Sequence, residues 1–227
     1  MTFQLKDIVP WGRSFEEYVA MFALSEEDLR GSILSCADGP SSFNCESCRR
    51  GVTVVSIDPL YDYGTDQIKK RIDETFEEVM TQTGKNMEEF VWKHISSVEE
   101  LGRVRMEAMR TFLSDYDSGK SEGRYLPSSL PSLSFPDNRF TLALCSHFLF
   151  LYSNMLDLQF HISAIREMCR VAREARIFPL LQLGAKPSPH VPGVVEHFGN
   201  AGYKVDIVTV IYEFQRGGNK MLRIRKA

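Results

Sequence analysis

Two acidic residues follow two short apolar runs of the sequence, and together they could bind a nucleoside. The run at residues 32–37 leads into Asp38 and Gly39, and the β-branched run at residues 52–57 leads into Asp58. Glycine permits a tight turn and a close approach of the backbone to a ligand. A carboxylate at the end of the next strand can accept hydrogen bonds from both hydroxyls of a ribose. The pairing therefore indicates a ligand that contains a nucleoside, without saying which one.

The turn after the first run differs from the glycine-rich turn that binds a dinucleotide. The fingerprint G-x-G-x-x-G is missing, because residues 37–43 contain a single glycine. Asp38 would repel a pyrophosphate but would suit a cationic sulfonium or amino group. Pro40 lacks the N–H that a phosphate cradle would use. These features favour a sulfonium methyl donor over a nicotinamide cofactor.

A histidine follows a third apolar run and could take part in proton transfer. Ser146 ends the run at residues 140–146, and His147 comes next. Imidazole titrates near neutrality, so His147 could act as a general base or orient an acceptor. The alternative is a partly buried histidine whose nitrogens bond to the backbone. No recognisable metal-ligand spacing connects the other histidines, which are His94, His161, His190 and His197.

Three of the five cysteines lie close together in the sequence. Cys45 and Cys48 form a lone C-x-x-C, and Cys36 precedes them. A structural zinc site needs four ligands, and no second pair occurs at zinc-ribbon spacing. The odd number of cysteines favours free thiols over a disulfide framework. We therefore expect no metal site, with Cys36 at the end of a strand and the C-x-x-C on a helix.

The elements that would position these residues alternate between strands and helices. The patterns predict strands at residues 32–37, 52–57, 124–127, 140–146, 175–181 and 203–214, then a hairpin turn at 216–219 and a returning strand at 220–226. Helical periodicity predicts helices at residues 15–29, 42–50, 65–117, 156–173 and 191–201. The alternation predicts an α/β fold with a doubly wound, mostly parallel sheet of seven strands and an antiparallel C-terminal hairpin.

The helical pattern at residues 65–117 forms an insertion after the second strand. It contains apolar stripes at residues 68–80 and 87–95, and a capping box at Ser97 begins a third helix that leads to a loop at 118–123. Such a long connection could cap an acceptor pocket, together with the N-terminal helix. The alternative, which we favour, is that the insertion only packs against the sheet.

Composition limits the classes of function that the chain can have. Its 27 basic and 30 acidic residues give a formal charge of −3, so a nucleic acid is a poor first guess for its partner. With 227 residues, of which 43% are hydrophobic, we expect one domain over residues 1–227. The apolar stretch at 140–155 is too mixed to span a bilayer, and no apolar signal segment follows residues 1–6. We expect a cytoplasmic protein without membrane contact; its oligomeric state stays open.

Three segments, taken in order, resemble the successive motifs of class I S-adenosylmethionine (SAM)-dependent methyltransferases. These segments are residues 33–43, 54–58 and 133–146, and the last resembles the loop and strand LPFPDxSFDLV of that family. The predicted strand–turn–strand at residues 203–225 matches the antiparallel end of the family's fold. The resemblance covers most of the chain outside residues 65–117.

The resemblance implies SAM as cofactor and assigns roles to residues of the motifs. The turn at residues 36–43 would lie against the methionine part of the donor, and Asp58 would bind the ribose hydroxyls. Leu60 would pack on the adenine. The implied donor-binding residues are Cys36, Ala37, Asp38, Gly39, Phe43, Asp58, Pro59, Leu60, Ser129, Leu130 and Ser146, with His147 as the candidate catalytic residue.

Three positions depart from the family pattern. Ser35 stands where an acid usually lies, Ala37 replaces the first glycine of the turn, and Ser129 replaces an acid of the adenine loop. The resemblance implies methyl transfer from SAM to a small-molecule acceptor that the sequence does not identify. The departures favour the alternative of a catalytically inactive binding or scaffold protein with the same fold. The missing glycine fingerprint disfavours a nicotinamide-dependent oxidoreductase.

Overall fold

The computed structural model describes residues 3, 5 and 7–226. Its helices are α1 (Phe15–Phe22), α2 (Glu26–Arg30), α3 (Phe43–Arg49), α4 (Thr65–Lys85), α5 (Val98–Ser121), α6 (Leu158–Val171) and α7 (Val191–Asn200). Its strands are β1 (Ser32–Cys36), β2 (Thr53–Ile57), β3 (Tyr125–Leu126), β4 (Phe140–Ser146), β5 (Ala172–Phe178), β6 (Leu181–Gln182), β7 (Lys186–Pro187), β8 (Tyr203–Thr209) and β9 (Lys220–Lys226).

Seven of these strands form one sheet in the order β3-β2-β1-β4-β5-β9-β8. Strand β1 pairs in parallel with β2 and β4, and Ser35 is in register with Ser56 and Leu144. Strand β9 is antiparallel to both β5 and β8. The prediction of a doubly wound, mostly parallel, seven-stranded sheet with an antiparallel C-terminal pair is confirmed. The chain leaves β1 in one direction and returns on its other side at β4, which creates a ligand crevice at the carboxyl ends of these strands.

Helices cover both faces of the sheet, so its central strands are buried. On one face α6 and α7 contribute Ile165 and Phe198 to the main hydrophobic core. On the other face α1 and α3 contribute Tyr18, Phe22 and Phe43 to a second core. Parallel strands buried on both sides need continuous apolar runs, which explains why β1 and β4 could be recognised in the sequence.

The predicted helix over residues 15–29 is in fact two helices. Helix α1 ends at Ala23, which has a left-handed φ of +46°, and Ser25 caps α2 by accepting a hydrogen bond from the Asp28 N–H. The Asp28 carboxylate accepts the Ser25 N–H in return, which completes a capping box. The second helix start at Ser25 therefore interrupts the apolar periodicity that predicted a single helix.

The insertion also differs from its prediction in two places. Helix α5 continues to Ser121, so most of the predicted loop at residues 118–123 is helical. The predicted helix at residues 87–95 is reduced to a 3₁₀ turn at Met87–Glu89. After that turn the Val91 N–H donates to the carbonyl of Phe214 at 2.7 Å, so the C-terminal part of the chain supplies the hydrogen bonds that a helix would have made.

The connection between the last two strands is longer than the predicted hairpin turn. Strand β8 stops at Thr209, which pairs with Lys220 at the start of β9. Residues 210–219 instead pack against the insertion, where the Arg216 N–H donates to the Glu89 carbonyl at 2.8 Å. Contacts with a distant segment therefore end the strand early.

None of the helices in the described ranges is long and apolar enough to cross a membrane. Part of the expectation about the N-terminal segment concerns Met1, Thr2, Gln4 and Lys6, which lie outside the described residues.

Candidate functional site

A cavity of about 800 Å³ opens at the carboxyl ends of β1, β2 and β4. Ala37 and Gly39 line it after β1, and Asp58 lines it after β2. Ser146 and His147 line it at the end of β4. The volume lies in the upper part of the range for small-molecule sites, about 300–1,000 Å³. The crevice expected from the sheet order is therefore open and large.

The turn after β1 and the acid after β2 are joined directly by hydrogen bonds. The Gly39 N–H donates to Asp58 Oδ2 at 2.9 Å, and the Leu60 N–H donates to Oδ1 at 2.8 Å. The Tyr61 hydroxyl donates to the Gly39 carbonyl at 2.7 Å. Gly39 has a φ of +55°, a conformation that disfavours residues with a Cβ atom. These contacts fix Asp58 and the turn at one rim of the sheet.

Burial raises the pKa of Asp58 to about 6, and the nearby charge of Asp38 adds to the shift. The N–H donors of Gly39 and Leu60 oppose it. Each carboxylate oxygen keeps a lone pair after accepting one N–H. Asp58 is therefore a partly buried acceptor with capacity left for two more donors from the cavity.

Asp38 is 5% exposed and links three elements below the turn. Its Oδ1 accepts hydrogen bonds from the hydroxyls of Tyr18 and Ser35, and its Oδ2 accepts one from the hydroxyl of Ser56. Burial raises the pKa of Asp38, and the three hydroxyl donors oppose that shift. Because Ser35 donates to Asp38, a carboxylate lies beside the strand end even though the usual acid of that position is absent.

Ala37 occupies a left-handed conformation with a φ of +51°. Such a conformation costs a non-glycine residue roughly 1–2 kcal/mol. The departure from glycine at this position is therefore tolerated by the backbone at a modest cost, and Ala37 still lines the cavity.

Two of the residues expected at the donor site do not line the cavity. Cys36 is completely buried in the main core, where desolvation raises the pKa of its thiol. Phe43 stacks on Tyr18 with ring centroids 4.4 Å apart, also in a buried core. Both residues support the turn from behind. In the described part of the chain no group of three potential ligands is arranged to hold a metal ion.

The remaining expected residues meet around the cavity. They are Ala37, Asp38, Gly39, Asp58, Pro59, Leu60, Ser129, Leu130, Ser146 and His147. Pro59 begins the 3₁₀ helix Pro59–Asp62, which directs Leu60 to the opening. Ser129 forms a bridge with Ser132, so the adenine loop of the resemblance is an ordered turn here.

His147 is held in a left-handed conformation with a φ of +50° at the end of β4. Its Nδ1 lies 2.9 Å from Ser146 Oγ, whose hydroxyl is directed to Met21 Sδ. Burial and the charges of Arg13 and Arg105 lower the pKa of His147 well below its ordinary value, so the ring is neutral at pH 7.

Several residues that build the site could not be recognised from the sequence. Ser56 and Tyr61 orient the acid and the turn, while Arg13 places its side chain at the cavity wall. A serine in an apolar strand and a tyrosine after a proline carry no distinct signal. Their roles follow from contacts with residues about twenty positions away.

The part of the cavity away from Asp58 is apolar. It is bounded by the N-terminal segment, by α4 and α5 and by the connection before β9. Its lining includes Val9, Trp11, Val79, Phe90, Leu101, Tyr152, Leu183 and Phe214. The site thus has one half rich in polar groups and one half that would accept an apolar molecule.

Comparison with known proteins gives one similar sequence and several similar structures. No protein-family model matches the chain. The uncharacterized protein MJ0045 of Methanocaldococcus jannaschii is 35% identical over 223 residues, which cover 98% of each chain. Magnesium protoporphyrin IX methyltransferase from Synechocystis PCC 6803, with bound SAM, has a TM-score of 0.49 and 11% identity over 94% of this chain and 78% of its own. A SAM-dependent methyltransferase from Methanosarcina mazei has a TM-score of 0.44 and 15% identity over 87% of this chain and 93% of its own.

The order of the strands defines the fold of the chain. Its strand order, with β9 inserted antiparallel between β5 and β8, gives the chain the class I methyltransferase fold expected from the resemblance. Within that fold the chain belongs to the same family as the Methanocaldococcus jannaschii protein, with which it shares 35% of residues over nearly its full length.

Proposed function

We propose that the protein is a methyltransferase that uses SAM as methyl donor and acts on a small-molecule acceptor. One observation carries the proposal: the Gly39 N–H and the Asp58 carboxylate meet at 2.9 Å on the rim of a large cavity. The nearness of these two groups, which are expected to bind methionine and ribose, supports a single donor site. An adenosyl group with an amino acid tail could reach both.

The residues at the rim fit an adenosyl donor. Asp58 has lone pairs available for both ribose hydroxyls, as described above. Leu60 and Leu130 offer apolar surface for an adenine ring. Asp38 adds a negative group below the turn, and a sulfonium or amino group nearby would favour its ionised form.

The chain mainly has to bind the donor, align it with the acceptor and exclude water, because SAM carries an already activated methyl group when bound. The rim residues would hold the donor in a fixed position, and the apolar half of the cavity would keep water away from the reacting atoms. The neutral His147 ring can receive a proton at its unprotonated nitrogen from an acceptor group that loses one on methylation. No further acid–base group is required.

The departures that favoured an inactive scaffold are partly offset by neighbouring residues. Asp38 lies beside Ser35 at 2.7 Å and supplies the carboxylate that the strand end lacks. The cavity is open next to Ala37 and Ser129 instead of being filled by side chains. These observations favour a working donor site over the scaffold alternative.

Calorimetric titration with SAM, S-adenosylhomocysteine (SAH) and NAD tests the proposal. We expect micromolar binding of SAM and SAH and no binding of NAD. Binding of none of the three would support the scaffold alternative, and binding of NAD alone would support an oxidoreductase. Mass spectrometry of the purified protein for a retained adenosyl compound gives an independent check.

Donor affinity is expected to fall as the pH drops below 6, because Asp58 must be ionised to accept two hydroxyls. Since the pKa of Asp58 in the unliganded protein is about 6, the group is ionised at pH 7 and largely protonated at pH 5. The ligand binds the ionised form, so affinity rises with pH and levels off above about pH 7. Titration with SAH should show about tenfold weaker binding at pH 5 than at pH 7.

Two variants control for other titrating groups. Asp58→Asn should remove the pH dependence, whereas Asp62→Asn, at an exposed position four residues away, should keep it. A wild-type affinity that stays constant between pH 5 and pH 7 would contradict the assignment of Asp58 to the ribose.

We also propose that residues 65–117 cap the acceptor half of the site within a single domain. Val79, Thr83 and Leu101 of the insertion line the cavity, which supports a role in binding as well as in packing. A cytoplasmic location is proposed because all five cysteines are free thiols, the state that a reducing compartment maintains.

A further inference from the structure

We infer that the acceptor is an uncharged, mainly apolar molecule that carries an oxygen atom, and that the hydroxyl of Tyr152 positions this oxygen by donating a hydrogen bond to it. The inference rests on the proposed function and deepens it, because it concerns the half of the cavity that an adenosyl donor would leave free. Three features carry it: the unused proton of a buried hydroxyl, the place of Tyr152 between His147 and the apolar wall, and the distribution of charge on the cavity lining.

Tyr152 has a hydroxyl group whose proton is not used by any of the described residues. Its side chain lines the cavity, although the residue is only 3% exposed. The hydroxyl oxygen accepts a hydrogen bond from the Val9 N–H at 3.2 Å, but the hydroxyl donates to no acceptor in the described part of the chain. Burial raises the pKa of Tyr152, so the group keeps its proton at neutral pH. A buried donor without an acceptor is costly, and a ligand oxygen would satisfy it.

The backbone places Tyr152 between the candidate proton acceptor and the apolar half of the cavity. The residue lies in a 3₁₀ helix that begins three residues after His147, and its N–H donates to the Phe148 carbonyl at 3.1 Å. The carbonyl of the preceding residue, Leu151, accepts the Leu183 N–H at 3.0 Å, and Leu183 belongs to the apolar wall. A ligand oxygen bound to Tyr152 would therefore hold the acceptor body against this wall and near the end of β4.

The charged residues of the described lining lie at the donor end of the cavity or at its exposed edge. Asp38 and Asp58 belong to the donor rim. Arg13 lies against the turn after β1, because its carbonyl accepts the Ser42 N–H at 3.0 Å. The others, at exposed positions of α4, are Lys70, Arg71 and Glu74. A charged group in the apolar half would lack a counter-ion, and burial of an unpaired charge is far more costly than burial of a hydrogen-bonded neutral group. The lining therefore favours an acceptor without charge.

Three naphthalene probes of nearly equal shape test the inference. 2-Acetylnaphthalene carries a carbonyl oxygen, 2-isopropenylnaphthalene has a methylene group in place of that oxygen, and 2-naphthoate carries a negative charge. Their affinities can be measured, with and without saturating SAH, by displacement of the fluorescent apolar dye N-phenylnaphthylamine. We expect wild-type protein to bind the acetyl probe about fivefold more tightly than the isopropenyl probe. It should bind the acetyl probe at least tenfold more tightly than naphthoate.

Removal of the hydroxyl should abolish the preference for the carbonyl probe. Tyr152→Phe is expected to bind the acetyl and isopropenyl probes with affinities within about twofold of each other. Both probes are measured in the same variant, so a looser N-terminal segment after loss of the Val9 contact would change both affinities and leave their ratio unaffected. Tyr203→Phe removes a phenolic hydroxyl on β8, away from the cavity lining, and should keep the wild-type ratio.

Equal wild-type affinities for the acetyl and isopropenyl probes would overturn the role of Tyr152, as would a preference that survives in Tyr152→Phe. The wild-type comparison stands even if that variant does not fold. Naphthoate that binds as tightly as the acetyl probe would overturn the uncharged acceptor. Failure of every probe to bind, or displacement of the probes by SAH, would overturn the assignment to the apolar half. Wild-type protein that prefers the acetyl probe but binds no SAH would instead refute the proposed function and leave the Tyr152 site in place.

Discussion

Replacement of Asp58 by alanine is expected to weaken SAH binding about 100-fold or more. The variant loses acceptors for two ribose hydroxyls, and a hydrogen bond to a charged group contributes about 1.5–3 kcal/mol. It also frees the N–H groups of Gly39 and Leu60, so the turn loses its fixed position. Calorimetry at pH 7.5 measures the change, with Asp62→Asn as a control of equal charge change at an exposed position.

The same variant is expected to leave the stability of the unliganded protein nearly unchanged. The raised pKa of Asp58, about 6, means that its ionised form destabilises the fold at pH 7. Protonation of Asp58 therefore stabilises the fold. This stabilisation is fully present below about pH 4 and is lost as the pH rises through about 6. Removal of the carboxylate ends that penalty, while the two unpaired N–H groups cost about as much. A Tm that falls by more than about 10 °C would instead mark Asp58 as a structural residue.

Replacement of Arg105 by methionine is expected to destabilise the fold by about 3–5 kcal/mol, because it leaves a buried carboxylate without its partner. Arg105 on α5 is fully buried and forms an ion pair with Glu17 on α1. The charge of Arg105 holds the pKa of Glu17 at about 2 even though burial acts in the opposite direction. The hydroxyl of Tyr212 completes the network by donating to Glu17 at 2.8 Å. Urea denaturation measures the free energy of unfolding.

Two further variants make this expectation specific. The double variant Glu17→Gln with Arg105→Met should recover most of the lost stability, since neither charge then remains buried. Arg103→Met removes an exposed partner of Glu107 on the same helix and should cost less than about 1 kcal/mol. If Arg105→Met lowers the free energy of unfolding no more than Arg103→Met does, the network does not hold the insertion against α1.

The strands and the rim of the site were predictable from sequence because they depend on local patterns. The predicted strand at residues 140–146 matches β4 as observed, since a buried parallel strand needs an unbroken apolar run. The proximity of Gly39 and Asp58 follows from strand order, because adjacent parallel strands end at the same edge. Both predictions require the sheet alone and no knowledge of distant contacts.

The remaining features depend on tertiary contacts that one sequence does not display. Phe90 bridges to Gln215, so a segment with helical periodicity becomes extended. Asp38 lines the cavity, but its three hydroxyl partners come from α1, β1 and β2, which the local sequence around it does not reveal. Arg13 gave no signal because its place on the cavity wall depends on how the segment before α1 packs against the turn at Ser41.

A crystal structure of the protein with SAH would test the central claim most directly. We predict that the ribose hydroxyls lie within about 3 Å of the two oxygens of Asp58, with the methionine part against the turn at Gly39. SAH bound elsewhere, or a ribose that makes no contact with Asp58, would contradict the account.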